Sequence, residues 1–184
     1  LYSRGLRNSM DSSDLYFGFA IDRCYESINI QESNGVTHGQ NVVSCVDSHF
    51  LLNCSGLINC FGCVNLRNKS NCFLNEQLSK DEYNKRVSEI MGSSERMAQF
   101  RKEFDEFALK FPRRENNNLQ SVDSTGDYLS ECKNVKDSFE ILKSEDCRYT
   151  FSSKLIKDSI GTIGYGTNCE RLLECVAVGY STNI

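Results

Sequence analysis

Cys54-Ser-Gly-Leu-Ile-Asn59 and Cys60-Phe-Gly-Cys-Val-Asn65 are two consecutive copies of one six-residue unit. Each opens on Cys, carries Leu or Cys three residues on, follows it with Ile or Val, and closes on Asn. Counting outward by six gives Cys24, Ile30, Val36, Val42, Ser48, Cys54, Cys60, Leu66 and Cys72, all small or apolar. The residues just before the last six of these are Asn41, Asp47, Asn53, Asn59, Asn65 and Asn71. A period of six fits neither a helix nor a plain strand, but it fits a short strand followed by a turn. Asn and Asp suit that turn because they tolerate left-handed backbone angles and hydrogen-bond their own backbone.

The pattern predicts a mainly β fold: a β-helix, or solenoid, with hexapeptide-like periodicity, interrupted by an α-helical hairpin. A β-sandwich with chance spacing is the plainer alternative. With three hexads per turn, Asn41 would stack on Asn59, Asp47 on Asn65 and Asn53 on Asn71; two hexads per turn is the other arrangement. Either one makes ladders of side-chain amides. The pattern returns at Cys132, Ser138 and Ser144, then at Cys147, Ser153 and Ser159, then at Cys169, Cys175 and Ser181. Its register slips between these runs, the last time beside Gly161, Gly164 and Gly166, where unusual backbone angles are easy.

Between the two repeat regions the period changes. Ser79 and Glu82 form a capping box, with Leu78 and Tyr83 as its hydrophobic staple. Val87, Ile90 and Met91 continue an apolar face to Gly92-Ser93-Ser94, which breaks it and offers a new N-cap. Met97, Phe100, Phe104, Phe107 and Phe111 then recur at steps of three and four, and Pro112 ends the helix. The stripe is expected to pack on the strands rather than to form a groove for a partner. Asn116 to Asn118 is expected to be an exposed turn. The organisation is thus a first solenoid part over 1–78, a hairpin insertion over 79–114 and a second solenoid part over 115–184, in one continuous domain. The chain lacks an initial Met and stops within a repeat, as an excerpt of a longer protein would.

Net charge is −4 with no basic excess, which argues against nucleic acid. No apolar run approaches the roughly 18 residues of a membrane span. Ten cysteines raise two chemistries. A disulfide framework is disfavoured because the cysteines follow the hexad rhythm rather than pairing across loops. Zinc would need Cys54, Cys60, Cys63 and Cys72, but these hold a single CxxC, and His38 and His49 do not complete a second pair. Cys is therefore read as a small buried filler, kept reduced in the cytoplasm or in an assembly formed inside a cell. Catalytic residues are not evident. Asp47, Arg67 and Lys69 are the charged residues of the middle repeats, and Asp137, Asp146, Asp158, Glu170 and Glu174 are scattered at or near corners. No phosphate loop, nucleophile elbow or metalloprotease motif is present.

Phe61-Gly-Cys-Val-Asn-Leu-Arg-Asn-Lys69, then Cys72, Asn75, Gln77 and Ser79-Lys-Asp-Glu-Tyr83, carry a resemblance, as do Phe104 to Arg114 and Ser124-Thr-Gly-Asp-Tyr-Leu129. Over nearly its whole length the chain resembles an uncharacterised family of long, cysteine-rich solenoid proteins from candidate-phyla bacteria and phage. Members of that family often carry a CxxC zinc-ribbon-like N-terminus, absent here, and repeat the module twice. The resemblance implies the architecture and assigns no catalytic residue or cofactor. The expected function is a non-catalytic structural or binding solenoid: an assembly scaffold or surface-binding module, for instance of a virion. Its partner would be protein, including further copies of itself joined through the solenoid ends. The alternatives are a carbohydrate-active β-helix enzyme, lyase or hydrolase, and a zinc-dependent interaction module.

Overall fold

The computed structural model describes residues 13–164 and 169–170. Among them the chain is mainly strand, with two helices. It divides into two compact units, Leu1–Pro112 and Arg113–Ile184.

In the first unit, β1 (Ser13–Phe19), β2 (Tyr25–Gln31), β3 (Asn34–Val43), β4 (Val46–Ser55), β5 (Ile58–Val64) and β6 (Ser70–Phe73) lie side by side in sequence order. All of these neighbours are parallel, and their partners are twelve residues apart: Val36 faces Ser48, Val42 faces Cys54, Cys60 faces Cys72. Only the short β7 (Glu76–Gln77) runs antiparallel, folding back on β6. The register corrects the three-hexad arrangement. Asn53 bonds Asn65 rather than standing over Asn71, and Asn29 donates to Asn41 at 2.9 Å in the same row.

The repeat itself is finer than six. From Ala20 to Leu74 every third residue has a positive φ, with Gly at 35, 56 and 62 and mostly larger residues elsewhere, including His38, Phe50 and Asn53. From Ala20 to Gly62 the residue after each left-handed one turns inward, whereas Lys69, after Asn68, is exposed. Ile21, Cys24, Ser27, Ile30, Ser33, Val36, Val42, Cys45, Ser48, Leu51, Cys54, Leu57, Cys60 and Cys63 are all buried. The unit is therefore a triplet of one inward residue, one outward residue and one left-handed residue. Only alternate left-handed positions are Asn or Asp for most of the run, which is why the sequence reads as hexads.

Nine buried Ser and Thr side chains would be costly in an apolar interior without partners. The inward serines of the first unit are partnered by the backbone. Ser48 Oγ donates to the carbonyl of Val46 at 2.8 Å and accepts from the N–H of Cys60, twelve residues on, at 3.0 Å. Ser27 and Ser33 do the same with Gly39 and Cys45. Cys45 makes the equivalent bridge with sulfur, donating to the Val43 carbonyl and accepting from Leu57 N–H. A short side chain with one donor and one acceptor fits the inward position as well as an aliphatic one does, which accounts for the Cys and Ser of the repeat.

The sheet ends at a side-chain cap. Asn75 accepts from Val64 N–H at 2.8 Å through its amide oxygen and donates to the Val64 carbonyl at 3.0 Å. It thus replaces with one side chain the strand that would otherwise continue beyond β5. The helical hairpin follows. In α1 (Lys80–Met91) Ser79 and Glu82 form the capping box, and α2 (Ser94–Ala108) is capped by Ser93. Phe100, Phe104 and Tyr83 are buried against Phe50, Phe61 and Val64 of the sheet, with Leu78, Met97, Phe107 and Phe111 around them. The stripe packs on the strands, as the sequence suggests.

The second unit repeats the triplet. Leu129, Cys132, Val135, Ser138, Ile141, Ser144, Cys147, Thr150, Ser153, Ile156, Ser159 and Thr162 are buried at steps of three. The apparent slip between Ser144 and Cys147 is simply one triplet. Here β8 (Gly126–Ser130), β9 (Ser138–Leu142) and β11 (Phe151–Lys154) form one parallel sheet, and β10 (Glu145–Arg148), β12 (Ile156–Ile160) and β13 (Cys169–Glu170) form another. The slip beside Gly161 is real: Ile156 pairs with Cys169, thirteen residues on. Asn116 to Asn118 correct the expectation of an exposed turn. They are half-buried, and Asn118 accepts from Leu129 N–H and donates to the Gly126 carbonyl.

Candidate functional site

With the twelve-residue register in hand, outward and left-handed residues fall into rows. One row contains Glu26, His38, Phe50, Gly62 and Leu74, and it lies under α2. Gly62 is required there, because a Cβ would come within 2.8 Å of the Phe100 ring. Further along the row the helix and sheet leave a cleft of about 300 Å³. Glu26, His38, Phe50, Met97, Arg101 and Asp105 line it.

The polar groups of the cleft are coupled. His38 Nε2 lies 3.0 Å from Glu26 Oε2, and Arg101 Nη1 lies 3.4 Å from the same oxygen. The His38 ring stacks on Phe50 at 4.4 Å between centroids and 10° between planes. With Nε2–H donating to the carboxylate, Nδ1 carries the lone pair, and it is buried with no hydrogen-bond partner in the structure. Burial lowers the His38 pKa, and the Arg101 charge adds to that effect while Glu26 opposes it. The imidazole is thus held neutral near pH 7. Sequence reasoning missed this trio. The signal was present, since Glu26 and His38 are twelve apart, but it is visible only once the register is known. His49 lies in the neighbouring row, hydrogen-bonded to Thr37 Oγ1 at 2.8 Å, and does not join the cleft.

Of the four zinc candidates, Cys60 and Cys72 are register partners in one inward row, while Cys54 and Cys63 stand in two other inward rows, in register with Val42 and Leu51. All four are buried thiols. The interaction between the Cys60 and Cys63 thiols lowers the Cys60 pKa, and that interaction together with burial pushes the Cys63 pKa up. Burial raises Cys54 and Cys72 to about 11 each. Among the described residues no group of three or more His, Cys, Asp or Glu side chains is arranged to hold a metal ion. Asp137, Asp146 and Asp158 occupy left-handed positions, and Asp146 accepts from Asn134. Glu174, Cys175 and Ser181 lie outside the described residues.

No helix among the described residues is long and apolar enough to cross a membrane. No family model matches the chain, and no curated protein matches it. Among solved structures it is similar to a protein from Desulfovibrio desulfuricans G20 assigned as an acetyltransferase, at 9% identity and a TM-score of 0.16. The likeness covers 85% of this chain and 56% of that one, and at that TM-score it bears on neither fold nor activity.

Proposed function

We propose that the chain is a non-catalytic β-solenoid, wound at two hexads per turn, that serves as an assembly scaffold or protein-binding module. The observation that carries this reading is the unbroken series of left-handed residues at every third position from Ala20 to Leu74, coupled to a twelve-residue parallel register. A chain wound this way presents straight rows of outward side chains on a rigid support, which suits recognition of another protein surface. The charge of −4 favours protein over nucleic acid as the partner. The Glu26 carboxylate of the cleft is already engaged by both His38 and Arg101, which weighs against its use as the general acid or base that glycan hydrolysis needs. Buried thiols fit a reducing compartment or a particle assembled inside a cell.

Among the described residues β1 forms the outer edge of its sheet, and an open parallel edge is a template for a further strand. The proposal therefore includes association with further copies of the chain. Size-exclusion chromatography with light scattering over a concentration series, alongside a polysaccharide turnover panel, tests it. Expected are concentration-dependent self-association and no turnover. A strict monomer at every concentration overturns the scaffold reading. Turnover that disappears in Glu26→Gln replaces it with a glycan-active enzyme.

A further inference from the structure

Cys60 and Cys72 are directly opposed residues on the adjacent parallel strands β5 and β6, and both side chains face inward. Among the described residues this is the one register pair in which both partners are cysteine. Opposed residues on neighbouring strands have Cα atoms about 5 Å apart, inside the roughly 4.4–6.8 Å window that a disulfide spans. Cys60 also acts electrostatically on the Cys72 thiol, helping burial to raise its pKa. Elsewhere the inward rows avoid this arrangement. Cys54 faces Val42 and Cys147 faces Ser159.

We propose that Cys60 and Cys72 form a latent oxidation site, closing a disulfide that staples β6 to β5 when the protein meets a small-molecule disulfide such as oxidised glutathione. Access comes through β6, a four-residue strand whose only outer neighbour is the two-residue β7. A short terminal strand opens at lower free energy than its interior neighbours. The Cys72 thiolate attacks one sulfur of the oxidant, forming a mixed disulfide and releasing one glutathione thiol. The Cys60 thiolate then attacks Cys72 Sγ and expels the second glutathione. The two cysteine protons end on the two departing glutathione thiols, and two electrons pass from the protein to the oxidant. Cys63 sits in the next inward row, in register with Leu51, so it competes from a less direct position.

Peptide mapping of the full chain decides between the partners. After treatment with oxidised glutathione and blocking of remaining thiols, chymotrypsin is expected to separate Cys60 (peptide 58–61), Cys63 (62–66) and Cys72 (67–73). The expected product links 58–61 to 67–73, unfolds at higher temperature than the reduced protein, and reverts with dithiothreitol. Cys60→Ser and Cys72→Ser are expected to fold, since Ser48 already occupies the same inward row, and to give no such link. Cys132→Ser retains it. A 58–61 to 62–66 link, a glutathione adduct that never resolves, or no change in the folded protein overturns the proposal.

Discussion

Phe61 and Phe139 occupy the same place in the triplet, the outward residue of a parallel strand with partners twelve residues away. Phe61 is fully buried, while Phe139 is 50% exposed. The strand repeat does not distinguish them. In the first unit the hairpin supplies Phe100, whose ring lies 4.7 Å from that of Phe61, and Phe73 stacks on Phe61 at 5.7 Å. Among the described residues of the second unit no helix covers the row Phe139, Phe151, Ile163, and Ile163 is 53% exposed. Interior structure is thus written into the triplet and shared by both units. The fate of the outward rows depends on what covers them.

Breaking that contrast should give the largest effect. Phe61→Ala removes a ring packed on those of His49, Phe50, Phe73 and Phe100 and should cost the first unit about 3–5 kcal/mol. Phe139→Ala should cost the second unit less than about 1 kcal/mol, as expected for a surface position. Hydrogen exchange followed by mass spectrometry reads each unit in the intact chain, through peptides of β5 and β9. Similar losses of protection at the two sites would mean that the hairpin contributes little, and the contrast would collapse.

The shared interior can be sharpened in the opposite sense. Ser48 bridges the Val46 carbonyl and Cys60 N–H, and Ser144 bridges the Leu142 carbonyl and Ile156 N–H at 3.2 Å. Alanine at either position leaves a buried N–H without its acceptor, at about 1–3 kcal/mol. The two losses should match, and cysteine should restore most of each, because Cys45 already makes the same bridge. Denaturant titrations of both alanine variants check this. A large loss in one unit only would show that the triplet interior is not one device used twice.

Much of this was legible before any coordinates. Inward Cys54 and Cys60, the Asn corners, the capping box at Ser79 and the Phe stripe of α2 were all readable, because each depends on residues within a few positions of one another. The twelve-residue register between neighbouring strands was not. Asn recurs at six, so two and three hexads satisfy the same pattern, and only the hydrogen-bond register separates them. The triplet was hidden because Phe50, His38 and Tyr149 take left-handed angles without looking like turn residues. A stack of hydrogen-bonded neighbours overrides their intrinsic preference, which is a cost of about 1–2 kcal/mol each that no local reading anticipates. The Glu26–His38–Arg101 trio was invisible for the same reason, since it joins residues twelve and seventy-five apart.

Asn75 tests how the first unit ends. Its amide satisfies both backbone groups of Val64, so Asn75→Ala opens that edge and should cost about 1–2 kcal/mol. The loss should appear as faster exchange at Val64 N–H with the interior near Ile30 unchanged. Asn118 plays a related part in the second unit, bonding Leu129 N–H, and Asn118→Ala should free that amide in the same way. Uniform acceleration through the whole unit, rather than at its edge, would mean that Asn75 supports the core and is not a cap.

The smallest effect belongs to the cleft, where the first unit has a titration that the second lacks among the described residues. His38 is lowered below its ordinary 6.5 chiefly by burial. Above pH 6.5 the imidazole is neutral folded or unfolded, so it does not shift the balance. As pH falls below 6.5 the unfolded chain takes up a proton that the folded site resists, and stability drains until the folded-state pKa is reached. The stabilising contribution is therefore present above the unfolded pKa and lost on acidification. Protonation would also place an N–H on Nδ1, where no acceptor waits. Exchange at the buried turn of α2 around Phe100 should accelerate on acidification through this window, while β9 amides follow only the intrinsic pH dependence of exchange. His38→Gln should abolish the difference. If α2 in that variant still loosens as sharply below pH 6.5, the proton goes elsewhere and the cleft is not the source of the pH response.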